Sequence, residues 1–96
     1  MRIIQLGRGA GKTYQLVTKA AERNAYIVCR DRVAAEMIFQ QAMDRGLDIK
    51  FPITFREFAN DEYYSKGIKE FMIDEVDQLL EYIARVPISY CTYTPK

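Results

Sequence analysis

Residues 6–13 of the chain read Leu6-Gly7-Arg8-Gly9-Ala10-Gly11-Lys12-Thr13. The segment follows the apolar run Arg2–Leu6, which predicts a strand, and it opens Lys12–Arg23, whose apolar spacing predicts a helix. Glycines let the backbone wrap closely and aim consecutive N–H groups at an anion, and a helix start adds partial positive charge. A glycine loop between a strand and a helix therefore predicts a phosphate-binding loop.

The predicted ligand of this loop is a nucleoside triphosphate with Mg²⁺. We expect Lys12 to face solvent without ligand and to reach the β- and γ-phosphates when ligand binds, while the Thr13 hydroxyl ligates Mg²⁺. The pattern departs from G-x-x-x-x-G-K-[ST] at its first position, where Leu6 stands in place of glycine. A flexible glycine turn beside a surface lysine is the alternative interpretation. The residues predicted to contact the nucleotide are Gly7, Arg8, Gly9, Ala10, Gly11, Lys12, Thr13 and Tyr14.

A second group of candidate residues follows a later apolar run. The segment Ile68–Ile73 predicts a strand, and Asp74 and Glu75 come directly after it. Asp74 is suited to hold Mg²⁺ opposite Thr13, and Glu75 is suited to orient and polarise the water that attacks the γ-phosphate. Alternatively, these acidic residues only stabilise the start of the next helix through its dipole.

Strands and helices alternate along the whole chain. Asp31 is expected to cap a helix that stops at Gly46, and Thr54 with Glu57 matches a capping box. This alternation predicts an α/β fold, a three-layer sandwich around a mainly parallel sheet, in one domain over residues 1–96. The predicted strands are Arg2–Leu6, Ala25–Cys29, Phe51–Ile53, Ile68–Ile73 and Pro87–Thr92. The helix residues predicted to face inward are Ala34, Met37, Ile38 and Ala42, then Val76, Leu79, Leu80 and Ile83.

Three candidate segments follow predicted strands of this sheet. In parallel sheets, ligands bind beyond the carboxyl ends of the strands. Residues 7–13, the pair Asp74-Glu75 and the segment Thr92–Thr94 all fall at such ends. The topology therefore predicts that these segments meet at one edge of the sheet.

The composition restricts the classes of function that fit the chain. Fourteen basic and thirteen acidic residues give a net charge of +1, so charge alone gives no argument for nucleic acid. The chain has no histidine and its two cysteines are far apart, which argues against a zinc site. We expect Cys29 and Cys91 to be buried thiols in a reducing cytoplasm. No stretch is long and apolar enough to span a bilayer or to form a signal peptide.

Together these motifs resemble the RecA-like core of P-loop ATPases that carry a catalytic glutamate, such as superfamily 1 and 2 helicases and phage terminase large subunits. The segment Asp74-Glu75-Val76-Asp77 matches the helicase DExD form, and the glycine loop resembles the terminase loop, which often carries an arginine. The resemblance spans most of the chain and implies a RecA-like sheet and Mg²⁺-dependent ATP hydrolysis. It implies Glu75 and Lys12 as catalytic residues, with Arg8 acting on the γ-phosphate in the same chain. The preference for ATP over other nucleotides rests on this resemblance alone.

The resemblance also implies a nucleic-acid process, such as DNA packaging or unwinding in a bacterial or phage-infected cytoplasm. Cys29-Arg30-Asp31-Arg32 and Ile53-Thr54-Phe55 occupy the places of helicase contacts with a nucleic-acid backbone. Thr92-Tyr93-Thr94 occupies the place of a coupling motif. We expect weak, salt-dependent binding of DNA or RNA. Because such motors change shape between two domains or subunits, one core implies an oligomer or a larger protein partner. No membrane is expected among the partners.

Two other functions remain open at this point. A nucleotide-dependent binding or regulatory module would report ATP with little hydrolysis, and it is compatible with a single core. A small P-loop kinase is disfavoured by the pair Asp74-Glu75, since transfer to an acceptor needs no glutamate that activates water.

Overall fold

In a computed structural model, the chain is described at Met1, at residues 3–5, at residues 11–63 and at residues 67–95. This part of the chain contains four helices and three strands. None of the four helices is long and apolar enough to cross a membrane. In chain order the elements are α1 (Lys12–Arg23), β1 (Tyr26–Cys29), α2 (Arg32–Asp44), β2 (Ile53–Thr54), α3 (Phe55–Ala59), β3 (Phe71–Ile73) and α4 (Val76–Ala84).

The three strands form an open parallel sheet with β1 in the centre. Its order is β2-β1-β3, and Val28 of β1 lies opposite Ile53 on one side and Ile73 on the other. A strand that is paired on both edges and covered on both faces reads as a continuous apolar run, which explains the sequence of β1. Because the strands are parallel, the residues that follow them share one edge of the sheet.

Helices cover both faces of this sheet. Ile27 and Cys29 point to one face, where they pack in a cluster with Val17 of α1 and Ile38 of α2. Val28 points to the opposite face, because side chains alternate along a strand. There it contacts a second cluster with Phe55 of α3 and Leu79 of α4. The predicted α/β class is thus confirmed at this level.

Local capping signals are realised as predicted for α2 and α3. The Asp31 side chain accepts a hydrogen bond from the Ala34 N–H, and Gly46 adopts a positive φ of 68° just after α2. The backbone N–H of Leu47 then donates to the Ala42 carbonyl, which satisfies one of the last carbonyls of the helix. These caps at the start and end of a helix depend on residues within a few positions of each other, so the sequence reveals them.

The inward face of α2 is displaced from the prediction. Ala35, Ile38 and Ala42 are buried, whereas Met37 is 69% exposed. The small side chains at Ala35 and Ala42 let α2 approach the sheet closely, so the long Met37 side chain is left on the solvent side. The prediction that Met37 faces inward was wrong.

The predicted first and last strands differ from the structure. Ile3–Gln5, the described part of the run Arg2–Leu6, lies outside any strand, and so does the whole run Pro87–Thr92. After α4 the chain turns back, and the Ile88 N–H donates a hydrogen bond to the Glu81 carboxylate at 3.0 Å. That N–H is therefore engaged away from the sheet. Cys91 is consequently exposed and not buried as predicted, while Cys29 is buried.

Two further predictions need correction, one about the inward face of α4 and one about the bounds of two strands. In α4, Leu79 is buried, but Leu80 and Ile83 are 39% and 54% exposed, because none of the described elements covers that side of the helix. The predicted strands Phe51–Ile53 and Ile68–Ile73 are observed as Ile53–Thr54 and Phe71–Ile73. Both were placed correctly in the chain, with shifted or shortened bounds.

The capping box at the start of α3 gives a test of local stability. The Thr54 hydroxyl accepts a hydrogen bond from the Glu57 N–H, and the Glu57 carboxylate accepts one from the Thr54 N–H. We expect Thr54→Ala to lower the free energy of unfolding by about 1 kcal/mol, since it leaves a helix N–H without its partner. Urea denaturation measures this loss.

Thr92→Ala is the matched control, because Thr92 is exposed and lies outside any helix or strand. It should change the free energy of unfolding by less than about 0.5 kcal/mol. Equal effects of the two substitutions would contradict a stabilising role for the capping box.

Candidate functional site

The site begins where α1 starts. Gly11 is the N-cap of α1 and has φ 85° and ψ 23°, a left-handed conformation that favours glycine. Apart from its chain neighbours and the backbone of its own helix, no described residue has an atom within 4 Å of where a Cβ would stand at Gly11, so it is the backbone conformation that favours glycine there. Lys12 and Thr13 are the first two residues of this helix, and Gly11 supplies no side chain to cap its first N–H groups, which have no partner within the helix itself.

The second part of the site lies where β3 ends. The Asp74 N–H donates a hydrogen bond to the Val28 carbonyl at 2.8 Å, which continues the β1–β3 pairing one residue past β3. Glu75 then turns the chain into α4 with φ 62° and ψ 65°. Its side chain makes no capping hydrogen bond to α4, so the carboxylate is directed elsewhere.

Lys12 and Glu75 meet across these two elements. The Lys12 Nζ donates a hydrogen bond to the Glu75 Oε1 at 2.7 Å, although the residues are 63 positions apart in the chain. The side chains of Lys12 and Glu75 are 30% and 31% exposed. The expectation that Lys12 faces solvent without a ligand was therefore wrong. The two motifs that the sequence singled out independently contribute to one site.

Negative charge dominates the surroundings of the lysine. The hydrogen bond with Glu75 raises the pKa of Lys12 above its usual value, and the charges of Asp74 and Asp77 act in the same direction against partial desolvation. The pKa of Asp74 is raised mainly by burial and further by the charge of Glu75, while Lys12 and Arg30 oppose the increase. A cation at this edge would relieve the cost of keeping two adjacent carboxylates ionised.

Asp74 and Thr13 were predicted to ligate Mg²⁺. Both residues are half-buried, and none of the described residues donates a hydrogen bond to the Asp74 carboxylate. Mg²⁺ that arrives with nucleotide takes one or two protein oxygens and completes its coordination with phosphate and water. The donor set fits that mode. In the described part of the chain, no group of three or more His, Cys, Asp or Glu residues could hold a metal by itself.

Tyr14, which was predicted to contact the nucleotide, contacts Arg45 in this structure. The Arg45 guanidinium lies over the Tyr14 ring at 3.6 Å from its centroid, and it donates a hydrogen bond to the Tyr14 carbonyl at 3.1 Å. Arg45 also donates to the Thr18 hydroxyl. The Tyr14 side chain thus joins α1 to the end of α2, away from the Lys12–Glu75 contact.

The segments predicted to contact nucleic acid have structural partners. Arg30 pairs with the neighbouring Asp31 carboxylate at 3.1 Å, and Arg32 pairs with Glu36 at 3.5 Å, although both arginines stay exposed. Thr54 belongs to the capping box. Thr92–Thr94, which was predicted as a coupling motif, is exposed and lies outside any helix or strand. The predicted site residues Gly7, Arg8, Gly9 and Ala10 lie outside the described residues.

Arg30 and Asp77 act on this site through their charges alone, and neither was among the predicted site residues. Arg30 follows β1 as Asp74 follows β3, and its charge acts on Asp74 because the two strands are neighbours. Asp77 lies in the first turn of α4, and its charge acts on Lys12. Only the strand order could have revealed Arg30, since no local pattern shows which strands pair. The position of Asp77 two residues after Glu75 was visible in the sequence.

Comparison with known proteins adds no assignment. No protein-family model, no curated protein and no solved structure matches this chain. The interpretation of the site therefore rests on its own residues and geometry.

The buried thiol beside the site gives a chemical test of its packing. Burial raises the pKa of Cys29 to about 11, and the charges of Asp74 and Asp31 act in the same direction. Compared with an ordinary thiol, about a hundredfold less thiolate is present at neutral pH, and thiolate is the reactive form. We expect a disulfide reagent to label Cys91 rapidly in the native protein and Cys29 only on unfolding.

Cys91→Ser provides the control and should remove the fast phase of labelling. Two fast phases in the native wild-type protein would show that Cys29 is accessible, and they would contradict the packing of β1 described here.

Proposed function

We propose that this chain binds a nucleoside triphosphate, ATP with Mg²⁺, where α1 begins beside the end of β3, and that it hydrolyses the γ-phosphate. The observation that carries the proposal is the 2.7 Å contact between Lys12 Nζ and Glu75 Oε1. It joins a lysine at a glycine-led helix start to a carboxylate that follows a strand. A cation that binds phosphate and a carboxylate that orients water and accepts its proton are the two side chains that hydrolysis of a triphosphate needs most directly.

Each side chain has a separate role in this proposal. Lys12 binds the β- and γ-phosphates by charge-assisted hydrogen bonds, and the first N–H groups of α1 add backbone donors. Bound Mg²⁺ would neutralise charge on the phosphate oxygens, with Thr13 and Asp74 as its protein ligands. Glu75 orients the attacking water and accepts its proton. Arg8 is the candidate for positive charge on the γ-phosphate from within the same chain, on the strength of its place in the glycine loop.

We propose further that the three-stranded sheet is a reduced form of a RecA-like P-loop core that serves a nucleic-acid process. The parallel sheet with helices on both faces supports this proposal, as does the position of the acidic pair after β3. Arg30 and Arg32 are the candidate contacts for DNA or RNA, because both are exposed at the edge that carries the acidic pair. Binding through two arginines would be weak and salt-dependent. Oligomerisation or a larger protein partner belongs to the same proposal.

One observation favours a second function, a nucleotide-dependent regulatory module with little turnover. Without ligand, Oε1 of the Glu75 carboxylate accepts a hydrogen bond from Lys12, so the lysine fixes the orientation of the carboxylate. If this contact persisted after nucleotide binding, ATP would bind without being hydrolysed. A measurement of turnover separates the two functions.

The test is steady-state hydrolysis of ATP with Mg²⁺, with and without DNA. Glu75→Gln should keep ATP binding and lower turnover by about 10²-fold or more, because an amide cannot accept the proton of the attacking water. Lys12→Ala should instead abolish the increase in melting temperature that MgATP gives, since a ligand stabilises only the state that binds it.

Glu70→Gln is the matched control for the chemical change. Glu70 precedes β3 at the opposite edge of the sheet and pairs with Arg23 at 2.7 Å, so the substitution also breaks an ion pair. It should leave turnover unchanged. Wild-type hydrolysis that persists in Glu75→Gln would refute the role of Glu75, and binding without turnover in the wild type would favour the regulatory module.

A further inference from the structure

We propose that Glu75 is also an internal competitor of phosphate, holding Lys12 in the ligand-free protein and releasing it when nucleotide binds. This inference rests on the proposed function and concerns the regulation of the same site. We call the contact between Lys12 Nζ and Glu75 Oε1 the latch.

The latch gives the start of α1 an internal anion. A carboxylate lies 2.7 Å from the lysine ammonium, in the position relative to that charge that a phosphate oxygen would take. Like charges a few ångströms apart repel, so a triphosphate that approaches Lys12 disfavours a carboxylate that stays on the same ammonium. Nucleotide binding therefore has to displace Glu75 from Lys12.

The backbone of Glu75 supports the assignment. Glu75 adopts a left-handed conformation with φ 62°, which is uncommon for a residue with a side chain, and its carboxylate does not cap α4. An N-cap residue ordinarily has an extended backbone, and a polar side chain there bonds the first N–H groups of its helix. Here the side chain instead reaches across to α1. The conformation is thus associated with the contact to Lys12 and not with capping.

The latch links binding to readiness for hydrolysis. While the latch is closed, Glu75 Oε1 accepts from the lysine, and one of the three ammonium N–H donors of Lys12 is engaged by the carboxylate. When phosphate takes the lysine, the released carboxylate lies next to the γ-phosphate and is able to bind the attacking water. The latch therefore lowers the affinity of the protein for nucleotide, and Glu75 acts on the attacking water only after nucleotide has bound.

The experiment measures affinity for a non-hydrolysable triphosphate, the β,γ-imido analogue of ATP with Mg²⁺, by isothermal titration calorimetry. This ligand prevents loss of hydrolysis from appearing as tighter binding. Glu75→Gln should tighten binding by about twofold to fivefold, the range expected when a partly exposed ion pair no longer has to be broken. Glu75→Asp keeps the charge but shortens the side chain, and it should also tighten binding.

Asp77→Asn is the control for charge alone. Asp77 acts on Lys12 through its charge without a hydrogen bond, so its neutralisation should change affinity by less than about twofold. Circular dichroism checks that each variant is folded. Labelling of Lys12 with an amine-reactive reagent, followed by mass spectrometry, reports the latch without nucleotide and should be faster in Glu75→Gln than in wild type.

The possible outcomes separate this inference from the proposed function. Unchanged or weaker binding in Glu75→Gln, with a wild type that binds, would overturn the latch alone. Tightening by Glu75→Gln and Asp77→Asn to the same extent, with none in Glu75→Asp, would overturn it too, because only charge would then matter. Failure of the wild type and of every variant to bind the analogue would overturn the proposed function and the latch with it.

Discussion

The parallel pairing of β1 with β3 is the constraint on which the rest of the structure depends. It continues past the end of β3 through the hydrogen bond from the Asp74 N–H to the Val28 carbonyl. This bond fixes the level at which the chain leaves the sheet, and Glu75 follows within reach of Lys12. Strand β1 presents Val28 to one face of the sheet and Ile27 to the other, so both clusters of buried side chains also depend on β1.

The chemistry of the site works against the stability of the ligand-free fold. Burial raises the pKa of Asp74, and the adjacent Glu75 adds a like charge. The charges of Lys12 and Arg30 compensate part of this, but the net shift of the Asp74 pKa is still upward. A chain of 96 residues buries a modest share of its surface, so this electrostatic cost is large relative to a small total stability. A cation and phosphates at this edge would meet the unpaired charge, which is how functional sites commonly trade stability for binding.

How far the sequence could predict the molecule depends on the range of each interaction. The bounds of α1, the cap at Asp31 and the box of Thr54 with Glu57 involve residues a few positions apart, and all are confirmed. The strand Pro87–Thr92 and the inward orientation of Met37 were wrong, because they depend on which surfaces meet. The two halves of the candidate site were visible as motifs. They were also predicted to meet at one edge of the sheet. The direct pairing of Lys12 with Glu75 was not predicted, because it depends on the strand order β2-β1-β3, which no local pattern contains.

The central claim is that the start of α1 and the turn after β3 form one nucleotide site. Two-dimensional ¹H–¹⁵N NMR, with MgATP added stepwise to the wild-type protein, tests it most directly, because each backbone N–H reports its own surroundings. The claim predicts saturable shifts at Gly11, Lys12 and Thr13 together with Asp74 and Glu75, and none at Glu70 at the opposite edge. Absence of shifts, or shifts confined to the groove lined by Tyr82 and Val86 near the end of α4, would contradict it.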